Sequence, residues 1–241
     1  MLSVFIAGVT KYSGKSLVTA GLAATMQSLS YSTGIFKPIK TGVSNIDKQT
    51  VFDDFDIVRK CDTNILTKSL YSLSHQVSPF VGAYEDNVKI DMNEIFSNYH
   101  IFADNLDFSF VEGANSIASP IAQNLSEIDI IKTLDIPLVL IVNPLKTSVD
   151  EVLLALAYIK SHQIQLLGII INQYDENAKN LEMKYFPQII KEFSGVNILG
   201  CMPDYGNLFQ LDPGMLIADI LNCLNLEEIF GLRIAKLEGA E

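Results

Sequence analysis

Short apolar runs rich in Val, Ile and Phe recur along this chain, separated by longer segments whose apolar positions follow helical spacing. The runs over 3–7, 33–37, 108–112, 138–143, 166–172 and 196–200 predict strands. They are apolar with little alternation, the pattern of strands covered on both faces rather than one. The segments between them predict helices over 15–27, 54–60, 92–105, 127–134, 150–161, 182–193 and 215–224. Strands alternating with helices build βαβ units, so the expected fold class is α/β, a three-layer sandwich with a mostly parallel sheet and helices on both faces. No internal repeat and no low-complexity linker breaks the pattern, so residues 1–241 read as a single domain. The stretch 41–90 is the exception. Ser, Asn and Asp are scattered through it, and it reads as loops above the sheet, where ligands bind.

Composition removes several classes of function. Of 241 residues, 49% are hydrophobic and 19% charged, which suits a large globular domain and excludes disorder as the main theme. Lys and Arg number 17 against 28 Asp and Glu, a formal net charge of −11 with no basic run, so no nucleic-acid surface is expected. The longest apolar stretches are strand-sized, far short of the roughly 20 residues that cross a bilayer, so no membrane partner is expected either. The first residues lack the basic segment and cleavage site of a signal peptide, and the expected compartment is the cytoplasm. Cys61, Cys201 and Cys223 are odd in number and never in a C-x-x-C pair, which points to reduced thiols rather than disulfides or zinc ligands. His75, His100 and His162 lie apart without ligand spacing and read as surface or loop residues.

The chemistry gathers at strand ends. The first strand runs into Gly8-Val9-Thr10-Lys11-Tyr12-Ser13-Gly14-Lys15-Ser16, and a helix beginning with Leu17 follows. Amides at a helix N-terminus face bound phosphate, Gly14 lets the backbone approach, Lys15 neutralises charge and the Ser16 hydroxyl can ligate Mg²⁺. Five residues separate Gly8 from Gly14, one more than the usual phosphate-loop spacing. The second strand is expected to end in Phe36-Lys37-Pro38-Ile39-Lys40-Thr41-Gly42, putting two lysines at the carboxyl edge of the sheet. A third run, Val111-Glu112-Gly113-Ala114-Asn115, ends a buried strand with a carboxylate placed to hold Mg²⁺. Asp53-Asp54-Phe55-Asp56 opens a helix, and alone reads as charge complementing the helix dipole.

Together these residues resemble the dethiobiotin synthetase family. The resemblance rests on the long-spaced loop before Gly14-Lys15-Ser16, then Lys37-Pro38-x-x-Thr41-Gly42, Asp54, Ser78-Pro79, Val111-Glu112-Gly113-Ala114 and Asn172, in family order over essentially the whole chain. It implies a P-loop NTPase-like domain that uses ATP and Mg²⁺ to join 7,8-diaminopelargonate and CO₂ or bicarbonate, working as a homodimer. It further implies that Lys15 and Lys37 are catalytic, that Thr41 binds substrate, and that Ser16, Asp54 and Glu112 hold the metal. The nucleotide would meet Lys11, Tyr12, Ser13, Gly14, Lys15, Ser16 and Leu17 of the loop and helix. It would also meet Asp54, Glu112, Gly113, Ala114 and Asn115, with Asn172 reading the adenine and Pro203 and Asp204 covering it.

The chain departs from the family pattern in three places. Val9-Thr10-Lys11 stands where the family writes T-D-T, so an acid is lost and a base gained beside the phosphates. Asn115-Ser116 replaces a glycine pair, and the loop 143–150 lacks the family's glycine-rich form. Two other readings stay open: a related ATP-dependent cyclo-ligase or amide synthase with another substrate, and a nucleotide switch of the MinD and ParA type. The switch proteins carry a lysine four residues before the loop's second glycine, whereas Lys11 lies three before Gly14.

Overall fold

The computed structural model describes residues 1–43 and 54–231, and Asp53 of the predicted acidic cluster lies outside them. Strand β1 (Leu2–Gly8) leads into α1 (Lys15–Ser28), followed by β2 (Thr33–Thr41) and α2 (Asp54–Cys61). Next come β3 (Leu66–Leu73), α3 (Pro79–Glu85), α4 (Met92–Ala103) and β4 (Phe108–Glu112). A small hairpin, β5 (Pro120–Ala122) with β6 (Leu125–Ser126), precedes α5 (Glu127–Leu134). The remainder alternates: β7 (Leu138–Val142), α6 (Val149–Ser161), β8 (Leu166–Ile171), α7 (Leu181–Ser194), β9 (Ile198–Cys201), α8 (Pro213–Cys223) and α9 (Leu226–Phe230).

Seven strands form one parallel sheet in the order β3-β2-β4-β1-β7-β8-β9, with β1 at its centre. Strand β1 shows why both faces are apolar. Val4 and Ile6 join a core built with α1, α2, α8 and α9, while Phe5 and Ala7 join a second core built with α3 to α7. The period-two alternation of a strand thus feeds two cores at once. Six strands coincide with the expected runs, and the three-layer α/β architecture is the expected one.

The stretch 41–90 needs correcting. Besides α2, which matches the helix expected over 54–60, its described residues hold an edge strand and α3 rather than loops. Strand β3 reads Leu-Thr-Lys-Ser-Leu-Tyr-Ser-Leu and is mostly half-buried. A strand at the edge of a sheet carries polar residues and lysine and therefore lacks the apolar run that marks buried strands. Helix α3 is announced by Ser78-Pro79, with proline in the first turn where its missing N–H costs nothing.

A second correction concerns β2, which runs on through Pro38 to Thr41 and places Lys37 in mid-strand rather than at a strand end. Strand β4 pairs with β2 only from Thr33–Phe108 to Phe36–Val111, so Pro38, which has no N–H, falls where that ladder has already stopped.

Candidate functional site

The site is assembled at the carboxyl edge of the adjacent strands β2, β4 and β1. Strand β1 ends at Gly8, where an added Cβ would lie 2.3 Å from the Ser13 hydroxyl, so the loop closes tightly on itself. Gly14 has φ +91° and forms the N-cap of α1. A Cβ there would meet the Asn172 side-chain nitrogen at 1.9 Å, so glycine is required both by the left-handed backbone and by the close approach. Asn172, which follows β8 and is 1% exposed, donates from Nδ2 to the Ser13 carbonyl at 3.1 Å. Its amide oxygen is buried without a partner. Lys15 and Ser16 are the first residues of α1, in the first turn, whose amides have no carbonyl partner within the helix.

Four side chains form a network in which Lys37 and Glu112 are buried and Asp54 is partly exposed. The Ser16 hydroxyl donates to Glu112 Oε1 at 2.7 Å, and the Lys37 ammonium donates to the same oxygen at 2.7 Å and to the Asp54 carboxylate. Register explains the meeting: Glu112 lies opposite Ile6 on β1, and Lys37 follows the Phe36–Val111 pair by one residue. Asp54 is delivered by the first turn of α2. Lys15 Nζ donates to the Asn115 carbonyl at 2.6 Å.

Burial would pull the Lys37 ammonium down, but Glu112 and Asp54 more than offset it and hold it above the ordinary lysine value. For Lys15 burial prevails, and its pKa is lowered despite the attraction of Glu127 and Glu112. Both lysines are nearly inaccessible, at 6% for Lys15 and 4% for Lys37. Two desolvated cations side by side are an unstable arrangement unless carboxylates or an anionic ligand answer them.

These groups line a cavity of about 570 Å³. Lys11, Tyr12, Gly14, Lys15, Ser16 and Leu17 supply one wall. Lys37, Thr41, Asp54, Glu112, Ala114 and Asn115 supply another, and Asn172 and Asp204 close the far end. Three expected residues stand off it. Ser13 is wholly buried beneath the loop, Gly113 packs on Glu127, and Pro203 lines a neighbouring cavity that shares Asp204. Lys40, the second lysine of the Phe36–Gly42 run, also lines it, and sequence reasoning missed Gln76, Gln173 and Tyr205, which do so as well. Gln173 directly neighbours Asn172 and could have been found. Gln76 belongs to the stretch read as irregular, yet its carbonyl accepts from Lys11 Nζ at 3.2 Å. The extra base of the loop is thereby tied to the β3–α3 connection. Gln173 joins the amide end to the base-side loop by donating to Asp204 at 2.7 Å.

The Ser16 hydroxyl and the Asp54 and Glu112 carboxylates are hard oxygen donors, the last two already converging on one cation, the Lys37 ammonium. Such a set fits Mg²⁺, which takes one or two carboxylates and keeps water and phosphate oxygens for its other positions. Among the described residues no group of three or more His, Cys, Asp or Glu is placed to hold a metal ion. The histidines are dispersed, with His75 in a loop, His100 in α4 and His162 capping α6.

A parallel sheet whose central strand runs through a glycine loop into a helix defines a P-loop nucleotide-binding fold. A family model described as AAA domain matches residues 3–210, and the chain belongs to that family. Among curated proteins the chain is similar to the ATP-dependent dethiobiotin synthetase BioD of Bacillus subtilis (strain 168). The two are 25% identical over 233 residues, covering 92% of this chain and 96% of that protein. The enzyme of the same name from Bacillus velezensis is 28% identical over 214 residues, covering 84% of this chain and 87% of that protein. Among solved structures, a ParA family ATPase from Chlorobium tepidum TLS superimposes with a TM-score of 0.54 at 18% identity over 84% of each chain, a likeness of fold alone. No helix among the described residues is long and apolar enough to cross a membrane.

Proposed function

We propose that this protein is an ATP-dependent dethiobiotin synthetase, a cyclo-ligase of biotin synthesis that carboxylates 7,8-diaminopelargonate with CO₂ and closes the product to a cyclic urea. The observation that carries the reading is Lys37, a buried ammonium held between Glu112 and Asp54 beside the phosphate loop. Similarity to dethiobiotin synthetases over most of the chain supports it.

The chemistry asks little covalent work of the protein. One substrate amine captures CO₂ as a carbamate and sheds a proton to solvent. A carbamate oxygen then attacks the γ-phosphorus of ATP, and ADP leaves. The second amine attacks the resulting carbonyl, expels inorganic phosphate, sheds a proton to solvent and closes the ring. The protein's part is alignment and charge neutralisation. Lys15 and the α1 amides hold the ATP phosphates, Lys11 adds positive charge at the loop, and Lys37 meets the carbamate and the phosphoryl group passing to it. Thr41 orients the substrate from the end of β2. Ala114 and Asn115 bound the phosphates opposite the loop. Asn172 meets the base through its unpartnered oxygen, and Asp204, with Pro203 behind it, bounds that end. Ser16, Asp54 and Glu112 would hold Mg²⁺, which when bound neutralises phosphate charge. We further propose that the chain acts as one domain and as a homodimer in the cytoplasm.

The test is direct. Purified protein incubated with ATP, Mg²⁺, bicarbonate and 7,8-diaminopelargonate should yield dethiobiotin by mass spectrometry. ATP binding without any dethiobiotin would move the assignment to a related cyclo-ligase or a nucleotide switch.

A further inference from the structure

Beneath the Glu112–Asn115 connection lies a carboxylate that none of the assigned roles uses. Glu127, the first residue of α5, is wholly buried and does not line the cavity. Its Oε2 accepts the Asn115 N–H at 3.1 Å. Its Oε1 is buried without a partner. Gly113 makes the approach possible, because a Cβ there would lie 2.0 Å from Oε1. The Glu127 N–H is bonded to the Ser119 carbonyl at 3.0 Å, so the backbone bearing the carboxylate is itself anchored.

On the opposite side of the same residue, the Asn115 carbonyl accepts from Lys15 Nζ at 2.6 Å. Glu127 and Lys15 therefore grip one residue from its two ends, the carboxylate on the amide and the ammonium on the carbonyl. We infer that Glu127 is a positioning residue of the phosphate site: through the Asn115 backbone it sets where the Lys15 ammonium stands. The hydrogen bond explains why a polar side chain occupies this buried position: burial pushes the Glu127 carboxyl above its ordinary pKa, and an apolar side chain in its place would leave the Asn115 amide unanswered. The departure of Asn115 from a glycine-rich pattern fits as well. Its side-chain Nδ2 reaches the Val77 carbonyl at 3.4 Å, adding a further tether to this connection.

The inference rests on Lys15 meeting ATP phosphates, and a mutant cycle separates the two claims. ATP affinity is measured by equilibrium titration for the wild type, Lys15→Ala, Glu127→Ala, Glu127→Gln and the Lys15→Ala/Glu127→Ala pair, with thermal melting of each. Glu127→Ala should lose about tenfold in ATP affinity, the weight of one charge-assisted hydrogen bond. Glu127→Gln, which keeps an acceptor oxygen at the same reach, should stay within about threefold of wild type. The double variant should bind no more weakly than Lys15→Ala alone. Wild-type affinity in Glu127→Ala, or a loss that adds in full to that of Lys15→Ala, overturns the proposal. Unchanged binding in Lys15→Ala overturns the nucleotide reading itself. If Glu127→Ala does not fold, Glu127→Met fills similar volume without an acceptor and carries the same expectation. Failure of both to fold assigns Glu127 to stability and likewise overturns the proposal.

Discussion

The two ends of the cavity are built from different chemistry. At the end formed by β1, β2 and β4, the buried Lys15, Lys37 and Glu112 and the partly exposed Asp54 set full charges against one another. At the far end, after β8 and β9, Asn172 and Gln173 present neutral amides beside the exposed Asp204. Asn172 donates to the Ser13 carbonyl, and Gln173 donates to Asp204 and accepts from the buried Asn143 behind it. Charge is expensive to bury and is kept where a ligand brings opposite charge and where charge develops during reaction. Amides recognise shape and donor pattern at smaller cost. Under the proposed function the contrast would put the transferring phosphate at one end and the base at the other, and it can be broken from either side.

The largest effect is expected at the charged end. Lys15→Ala and Ser16→Ala should each reduce ATP-dependent turnover by on the order of hundredfold or more, since under the proposed function one removes a phosphate counter-charge and the other a metal ligand. Steady-state assays across magnesium concentrations check this, and the Ser16 variant should show the greater demand for metal. Retained turnover in Lys15→Ala would end the phosphate-loop reading.

A smaller and different effect is expected at the amide end. Asn172→Ala should weaken ATP binding by about three- to tenfold, the range of a lost neutral hydrogen bond, while GTP affinity changes little. Titrations with the two nucleotides separate base reading from loop support. Because Asn172 also holds the Ser13 carbonyl, an equal loss for ATP and GTP would make it a support of the loop instead.

How much of this was legible follows the same division of environments. Buried strands declare themselves by apolar runs, and Lys15, Ser16 and Glu112 follow directly from where those runs end. Strand β3 was hidden because an edge strand has one unpaired side and polar residues, so neither run nor alternation marks it. Lys37 was recognisable by type but misplaced along its strand, since Pro38 reads as a stop when only one neighbouring ladder has ended. Glu127 was invisible as a partner of the site. It reads as an acidic first-turn residue of α5, and only the tertiary fold carries it beneath Gly113 and Asn115. Pro203 was expected at the base and lies one cavity away, because the β9 loop turns Asp204 rather than Pro203 toward Gln173.

The central claim is that Lys37 serves the reaction rather than the nucleotide, and one paired measurement on Lys37→Ala tests it most directly. The rate of urea-ring formation and the ATP dissociation constant are determined on the same preparation. Lys37 meets charge that builds on the carbamate and the transferring phosphoryl group, so its loss should fall on turnover. The account predicts ring formation reduced by about hundredfold or more with ATP affinity within about threefold of wild type. Ring formation at the wild-type rate, or a loss confined to ATP affinity, would contradict it.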